Sequence, residues 1–218
     1  MYNIAQMPYR RNYKKYKRKK RKYYRKSSSW LKTSGKGLVK SSPLGQSFRM
    51  KTKYVATPLS LNPGVGGIPA TYVFSANGLY DPDVTGTGHQ VLGFDQIMPM
   101  YDHYTVIGSR IKVIGANTTA QDNQYLIVTL SDTVVPNPDI TNLLENGLSR
   151  YKVLSVDQGD HGVETLTLNF SPKRFFNTNS VMDNKALKGN AVSNPGEGAY
   201  YHITVAPLDG TSDAGVVH

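Results

Sequence analysis

The chain has no cysteine, which excludes disulfides, zinc–thiolate sites and thiol chemistry outright. Folding in a reducing compartment is compatible with that absence. No apolar run approaches the ~20 residues needed to cross a bilayer, and no apolar segment follows the positive N-terminal stretch as a secretory signal requires. The expectation is a soluble intracellular protein. Carboxylates are missing from the first eighty of the 218 residues, Asp81 being the first. The five histidines (His89, His103, His161, His202 and His218) are scattered. They form no His-x-His or His-Glu-x-x-His pair, so no metal motif is read.

What is there is charge of opposite sign in two parts. Residues 1–80 hold eighteen lysines and arginines, while residues 81–218 hold eight against fifteen acids. The net +11 is therefore +18 on the first part and −7 on the rest. From Tyr9 to Lys26 every residue but Asn12 is basic or tyrosine. A charge dipole of this size predicts a polyanion-binding arm joined to an ordinary folded domain. The arm spans residues 1–26. A Ser/Gly/Lys linker follows over 27–46, and a single β-rich domain over 47–218. Like charges repel along the arm and it offers almost nothing to bury, so by itself it is expected to be disordered.

Past the linker the pattern is that of strands. Residues 48–61 open with alternation, Phe48, Met50, Lys53 and Val55 trading sides with Arg49, Lys51 and Thr52. Thr71–Phe74 is short and β-branched or aromatic. Tyr104–Ile114 carries Val106, Ile107, Ile111, Val113 and Ile114, and Tyr125–Leu130 is an almost continuous apolar run suited to a strand covered on both faces. Tyr151–Val156 and Tyr200–Ala206 alternate. Thr165–Phe170 has the cleanest period of two, with Leu166, Leu168 and Phe170 inward. Helical signals are confined to Ile140–Asn146, ending at Gly147 in a C′ role, and to a turn at Phe94–Met98. Many short strands among twenty glycines and twelve prolines predict an antiparallel sandwich or barrel. An eighth strand starts at Gly215–His218 and stops with the chain, short of the usual five or six residues.

Several segments together resemble capsid proteins of the circovirus-like group, the small viruses with circular single-stranded DNA. They are the Arg/Lys/Tyr arm, Gly93-Phe94-Asp95-Gln96, Pro99–Tyr104 with Val106–Val113, Ser171-Pro172-Lys173-Arg174-Phe175-Phe176, and Ser193-Asn194-Pro195 before Ala199–Ile203. The resemblance covers nearly the whole chain. It implies an all-β fold, a single eight-stranded jelly-roll sandwich with a disordered basic N-terminal arm, in which the strands above become B to H and Gly215 onward becomes I. Related proteins continue that last strand for ten or more residues. Strand I lies between B and D, so its shortening would open the middle of one sheet. Either the chain is a fragment or another segment fills the gap; the fragment is the preferred reading. The resemblance also implies a virion protein, assembled in the host nucleus as a homo-oligomer of sixty copies with T=1 icosahedral symmetry. Its partners would be a single-stranded DNA genome, the nuclear import machinery and a host receptor.

The arm's chemistry suits that role. The residues read as nucleic-acid-binding are Arg10, Arg11, Tyr13, Lys14, Lys15, Tyr16, Lys17, Arg18, Lys19, Lys20, Arg21, Lys22, Tyr23, Tyr24, Arg25 and Lys26. Cations that neutralise phosphates release counterions and give salt-sensitive, sequence-independent affinity. Interleaved tyrosines offer faces for unpaired bases, worth about 1–3 kcal/mol per base. Sixty arms of twelve cations would bring about 720 positive charges inside a shell. A plain solvated tail, or a nuclear import signal over Lys17–Lys22, is the simpler reading, and import is compatible with packaging. Trp30-Leu31 is an anchor to the inner wall or an ordinary linker pair.

Within the domain the signals are weaker. Lys173 and Arg174 face the shell interior or merely keep the surface soluble. Asp81-Pro82-Asp83 offers oxygens to a calcium ion or forms a surface turn, and the turn is preferred. Asp102-His103 suggests a pH switch or an ordinary hydrogen-bonded loop histidine. Ser109, Ser131 and Ser155 have no nucleophile elbow, and Ser34-Gly35-Lys36-Gly37 lacks the phosphate-loop spacing. A jelly-roll enzyme of the cupin kind would need clustered histidines. No catalytic residue, metal or cofactor is assigned. The rival class is a non-capsid nucleic-acid-binding protein with a basic tail, but a basic β domain would be expected there. Loops Leu59–Ala70, Tyr80–Leu92 and Asn177–Gly198 are the expected makers of wall contacts, and the negative body is expected to avoid the genome.

Overall fold

The computed structural model describes residues 45–64, 66–117, 122–156 and 163–209, together with the backbone of 216–217. The chain divides into two compact units, Met1–Arg49 and Met50–His218. Of the first, only residues 45–49 are described, all of them exposed.

The second unit is built from strands: β1 (Ala70–Ser75), β2 (Ser109–Ala116), β3 (Gln124–Ser131), β4 (Ser149–Leu154), β5 (Val163–Phe170), β6 (Tyr200–Pro207) and the two-residue β7 (Val216–Val217). They form two antiparallel sheets, ordered β1-β6-β3-β4 and β5-β2-β7. The all-β expectation is met.

Period-two patterning produces the two facing layers. On β5, Leu166, Leu168 and Phe170 are buried as expected, and Thr165, Thr167 and Asn169 are exposed. Register sets Leu168 opposite Ile111 and Leu166 opposite Val113 in one sheet. In the other it sets Val128 opposite Ile203 and Leu126 opposite Val205. These residues, with Phe74 and Leu154, share one core. Each fully buried aliphatic side chain contributes roughly 1.5–3 kcal/mol. On β3 both faces are covered: Leu126 and Val128 join the core, and Ile127 on the opposite side is equally inaccessible, all at 0%. The apolar run in the sequence has that cause.

The sheets come together beside Gly115 on β2, where a Cβ would stand 2.7 Å from Leu126 Cδ2 and 3.4 Å from both Leu154 methyls. At that edge Lys152 of β4 forms an ion pair with Glu164 of β5. The bond from Lys152 is the main reason the Glu164 carboxyl lies below its ordinary value.

Three expectations need correction. Residues 48–61 are not a strand; the segment carries only an isolated bridge residue at Leu59. Its inward residues are not the expected ones, because Tyr54, Ala56, Leu59 and Leu61 join the core while Phe48, Met50 and Val55 are exposed. A strand exists only where a neighbour supplies a run of ladder partners, and among the described residues this segment has only the bridge position at Leu59. The second correction concerns residues 104–114. The strand starts at Ser109, and of its apolar candidates Val113 is buried whereas Ile107 and Ile114 are exposed. Tyr104 instead forms a bridge with Gly189, its N–H donating to the Gly189 carbonyl at 2.9 Å and its carbonyl accepting at 3.0 Å.

The turn expected at Phe94–Met98 is the short helix α1 (Phe94–Ile97), and the third correction concerns the end of the next helix. Helix α2 (Ile140–Glu145) forms because Asp139 Oδ1 accepts from Thr141 N at 2.9 Å, an N-cap bond, and because Leu143 is buried. It closes without a left-handed glycine. Asn146 is extended, its Oδ1 accepts from Leu148 N at 2.9 Å, and Gly147 has no positive φ. Gly147 does follow the C-cap residue, but the chain leaves the helix through this turn at Asn146 and not through a left-handed glycine.

Candidate nucleic-acid interface

The arm residues read as nucleic-acid-binding, Arg10 to Lys26, lie outside the described residues, as do Trp30-Leu31, His161 and His218. What the structure describes is the body and the cations it carries.

Four of the eight basic residues after Asp81 collect around the smaller sheet. Alternation along Ser109-Arg110-Ile111-Lys112-Val113 turns Ile111 and Val113 to the core, so Arg110 and Lys112 emerge on the outward face, both exposed. Their partners across the ladder are Asn169 and Thr167 on β5, also exposed. Chain direction then supplies two more cations. After Phe170, Ser171 leads into α3 (Pro172–Phe175), with proline in the first turn and Lys173 and Arg174 in the last, both exposed. The turn is pinned from inside: the Phe175 and Phe176 rings lie 5.6 and 6.2 Å from the Phe170 ring, both edge-on. Register brings this end of β5 beside the start of β2, where Phe170 faces Ser109 and Asn169 faces Arg110.

Sequence reasoning singled out Lys173 and Arg174 but missed Arg110 and Lys112. The signal was present, since two basic residues at i and i+2 between two core residues must share the outward face. Only the ladder reveals that β5 lies alongside with neutral side chains.

Three of the segments that carried the resemblance, those holding Phe94, Tyr104 and Asn194, meet at Tyr104. Its hydroxyl donates to Asn194 Oδ1 at 3.0 Å and accepts from Leu79 N at 3.1 Å. The Phe94 ring meets its ring edge-on at 5.5 Å. Burial raises the Tyr104 phenol above its ordinary value. Asn194 in turn clasps Asp81, accepting from its N–H at 3.3 Å and donating to its carbonyl at 2.9 Å. The loop that follows β1 and the loop that leads into β6 are thereby tied together.

The remaining candidates have local structural tasks. Asp83 is buried, not on the surface. Its carboxylate accepts from Thr85 N at 3.0 Å, Thr85 Oγ1 at 2.7 Å and the Tyr72 hydroxyl at 2.7 Å, so its lone pairs close a turn. Asp102 and His103 are both exposed and share no hydrogen bond among the described residues. Ser109 Oγ donates to the Ala76 carbonyl at 2.6 Å and lies 3.0 Å from the Tyr201 hydroxyl, whose pKa burial pushes up to about 12. Ser131 Oγ accepts from Thr133 N at 3.1 Å. Among the described residues no three His, Asp or Glu side chains converge.

Two histidines do more than their scattering suggested. His202 on β6 is buried, with Nε2 2.9 Å from the Thr133 carbonyl. Burial lowers its pKa, and the hydrogen bond opposes that. His89 stacks on Tyr54 at 4.5 Å between ring centres. Both its ring nitrogens face carbonyl oxygens, Nδ1 at 2.7 Å from Gln90 and Nε2 at 2.9 Å from Val55. These bonds raise its pKa.

No protein-family model and no curated protein matches this chain.

Proposed function

We propose that the chain is the capsid protein of a small virus with circular single-stranded DNA: a β-sandwich body that assembles into an icosahedral shell and a basic arm that packages the genome. The observation that carries the reading is the division of charge, +18 over an acid-free first eighty residues against −7 over the rest. An arm of cations and tyrosines suits single strands, because phosphates take the charge and unpaired bases take the rings.

The strand order supports a jelly roll as the finer architecture. With the strands lettered as in the resemblance, β1 to β7 are C to I, so the larger sheet reads C-H-E-F and the smaller one G-D-I. The last strand thus lies beside D, as a jelly roll requires. Its other neighbour would be B, at residues 48–61, and a β7 only two residues long accounts for the missing ladder there. Eight strands is the complete count on this reading.

The shell would be a T=1 assembly of sixty copies, formed in the host nucleus with Lys17–Lys22 serving import. The rival, a non-capsid nucleic-acid-binding protein with a basic tail, is opposed by the negative charge of the body. Electron microscopy of the purified full chain and of the same chain lacking residues 1–40 separates the two, combined with a measurement of nuclease-protected nucleic acid. Discrete shells from both, with nucleic acid only in the full-length ones, are expected. Monomers that bind single strands without assembling would overturn the capsid reading.

A further inference from the structure

The body's net charge of −7 conceals an uneven distribution. Arg110 and Lys112 stand on the outward face of β2, opposite Asn169 and Thr167, and no outward position of β2 or β5 is acidic. Lys173 and Arg174 on α3 extend the same end of the sheet. None of these four cations has a carboxylate within ion-pair distance among the described residues, whereas Lys152 has Glu164. An isolated group of like charges repels itself, and a polyanion laid across it removes that cost.

The face carries cations and neutral polar groups but no acid, with Ile114 and Val163 also exposed on it. Guanidinium and ammonium groups neutralise phosphate, and Thr and Asn side chains supply the neutral hydrogen bonds that phosphates also accept. Arg110 and Lys112 are two residues apart on a strand, a separation of about 6.6 Å along a rigid ladder. That is comparable to the stride between consecutive phosphates of a polynucleotide. The outward positions of β2 and β5 hold no aromatic ring, so nothing on the ladder stacks a base.

We propose that the outward face of β2 and β5, with Lys173 and Arg174 of α3, is a second contact surface for the phosphate backbone of the packaged polynucleotide. It rests on the packaging reading above and places part of the body against the genome. The arm supplies many cations and stacking rings; the sheet face holds a few phosphates in fixed positions, without reading bases.

The test uses the full chain and an oligodeoxythymidylate of fixed length, with affinity measured across a range of salt. Each single-strand phosphate contact adds about 0.7 to the slope of log K against log salt. R110Q/K112Q is expected to lower that slope by about 1.4 and to weaken binding about 25-fold at 0.1 M salt. K185Q/K188Q, which removes two cations elsewhere on the body, is expected to change neither. An unchanged slope in R110Q/K112Q, or an equal drop in both variants, overturns the proposal. A second measurement needs no substitution: acetylation of Lys112 is expected to be suppressed by the oligonucleotide while that of Lys185 is not. Equal reactivity of the two would also overturn the proposal. Failure of this inference and failure of the capsid reading remain distinguishable. Shells with an unaltered salt slope in R110Q/K112Q remove the second surface alone. Absence of shells from the unsubstituted chain removes the capsid.

Discussion

His89 Nε2 lies 2.9 Å from the carbonyl oxygen of Val55, a bond that fastens residues 54–56 to the loop after β1. Nδ1 of the same ring faces the Gln90 carbonyl. A neutral imidazole has one N–H and can donate to only one of them; the imidazolium donates to both. The stacked Tyr54 ring adds a face that favours the cation, and Tyr72 and Asp83 line the same cleft.

The pH dependence follows in sign. The folded pKa of His89 is raised, so its contribution to stability is complete below the unfolded value and is lost as pH rises through the folded one. Thermal unfolding from pH 5 to 8 is expected to show an advantage of the native chain over H89Q at the acid end that vanishes by the alkaline end. An advantage that does not change with pH would remove the imidazolium from the account.

His202 acts in the opposite direction. Burial lowers its folded pKa, so its contribution is complete above the unfolded value and is lost as pH falls from there through the folded one. A substitution H202N is expected to flatten the acid side of the stability profile. NMR titration of the two ring signals checks both: His89 should titrate above, and His202 below, an unfolded reference peptide.

Gly115 is required by its neighbours' proximity rather than by backbone conformation. A methyl group there meets Leu126 and Leu154, both fully buried. Urea unfolding of G115A is expected to report a loss of about 1–3 kcal/mol from overpacking. L126A, which empties the same site, should lose about 2–5 kcal/mol. The double variant should lose less than the sum, because the shortened side chain admits the new methyl.

Asn194 joins the two long loops through Tyr104 and Asp81. N194A leaves the Tyr104 hydroxyl and the Asp81 N–H without their acceptor and the Asp81 carbonyl without its donor. A loss of about 1–3 kcal/mol is expected. A double-mutant cycle with Y104F checks the mechanism: the two losses should be non-additive, whereas independent losses would mean the loops are held elsewhere.

Legibility varied with the range of the interaction involved. Leu166, Leu168 and Phe170 were readable as core because alternation alone turns them to one side. Helix α2 was local in the same way, with Gly147 following the C-cap Asn146 as read, although that glycine is not left-handed. Which residues of 48–61 face the core was not readable, because Tyr54 packs on Phe74 and His89, residues distant in sequence. Arg110 and Lys112 were legible one strand at a time but not as a face.

Composition and order of residues determined the charge division, the strand-forming segments and the absence of thiol chemistry, since each is a sum or period along the chain. The tertiary structure alone decided which strand lies beside which, that Asp83 is buried, and that His89 meets two carbonyls. Those outcomes depend on partners far away in the chain, whose register and approach are selected by joint burial of two sheets. A sequence states what each face offers; only packing states what it meets.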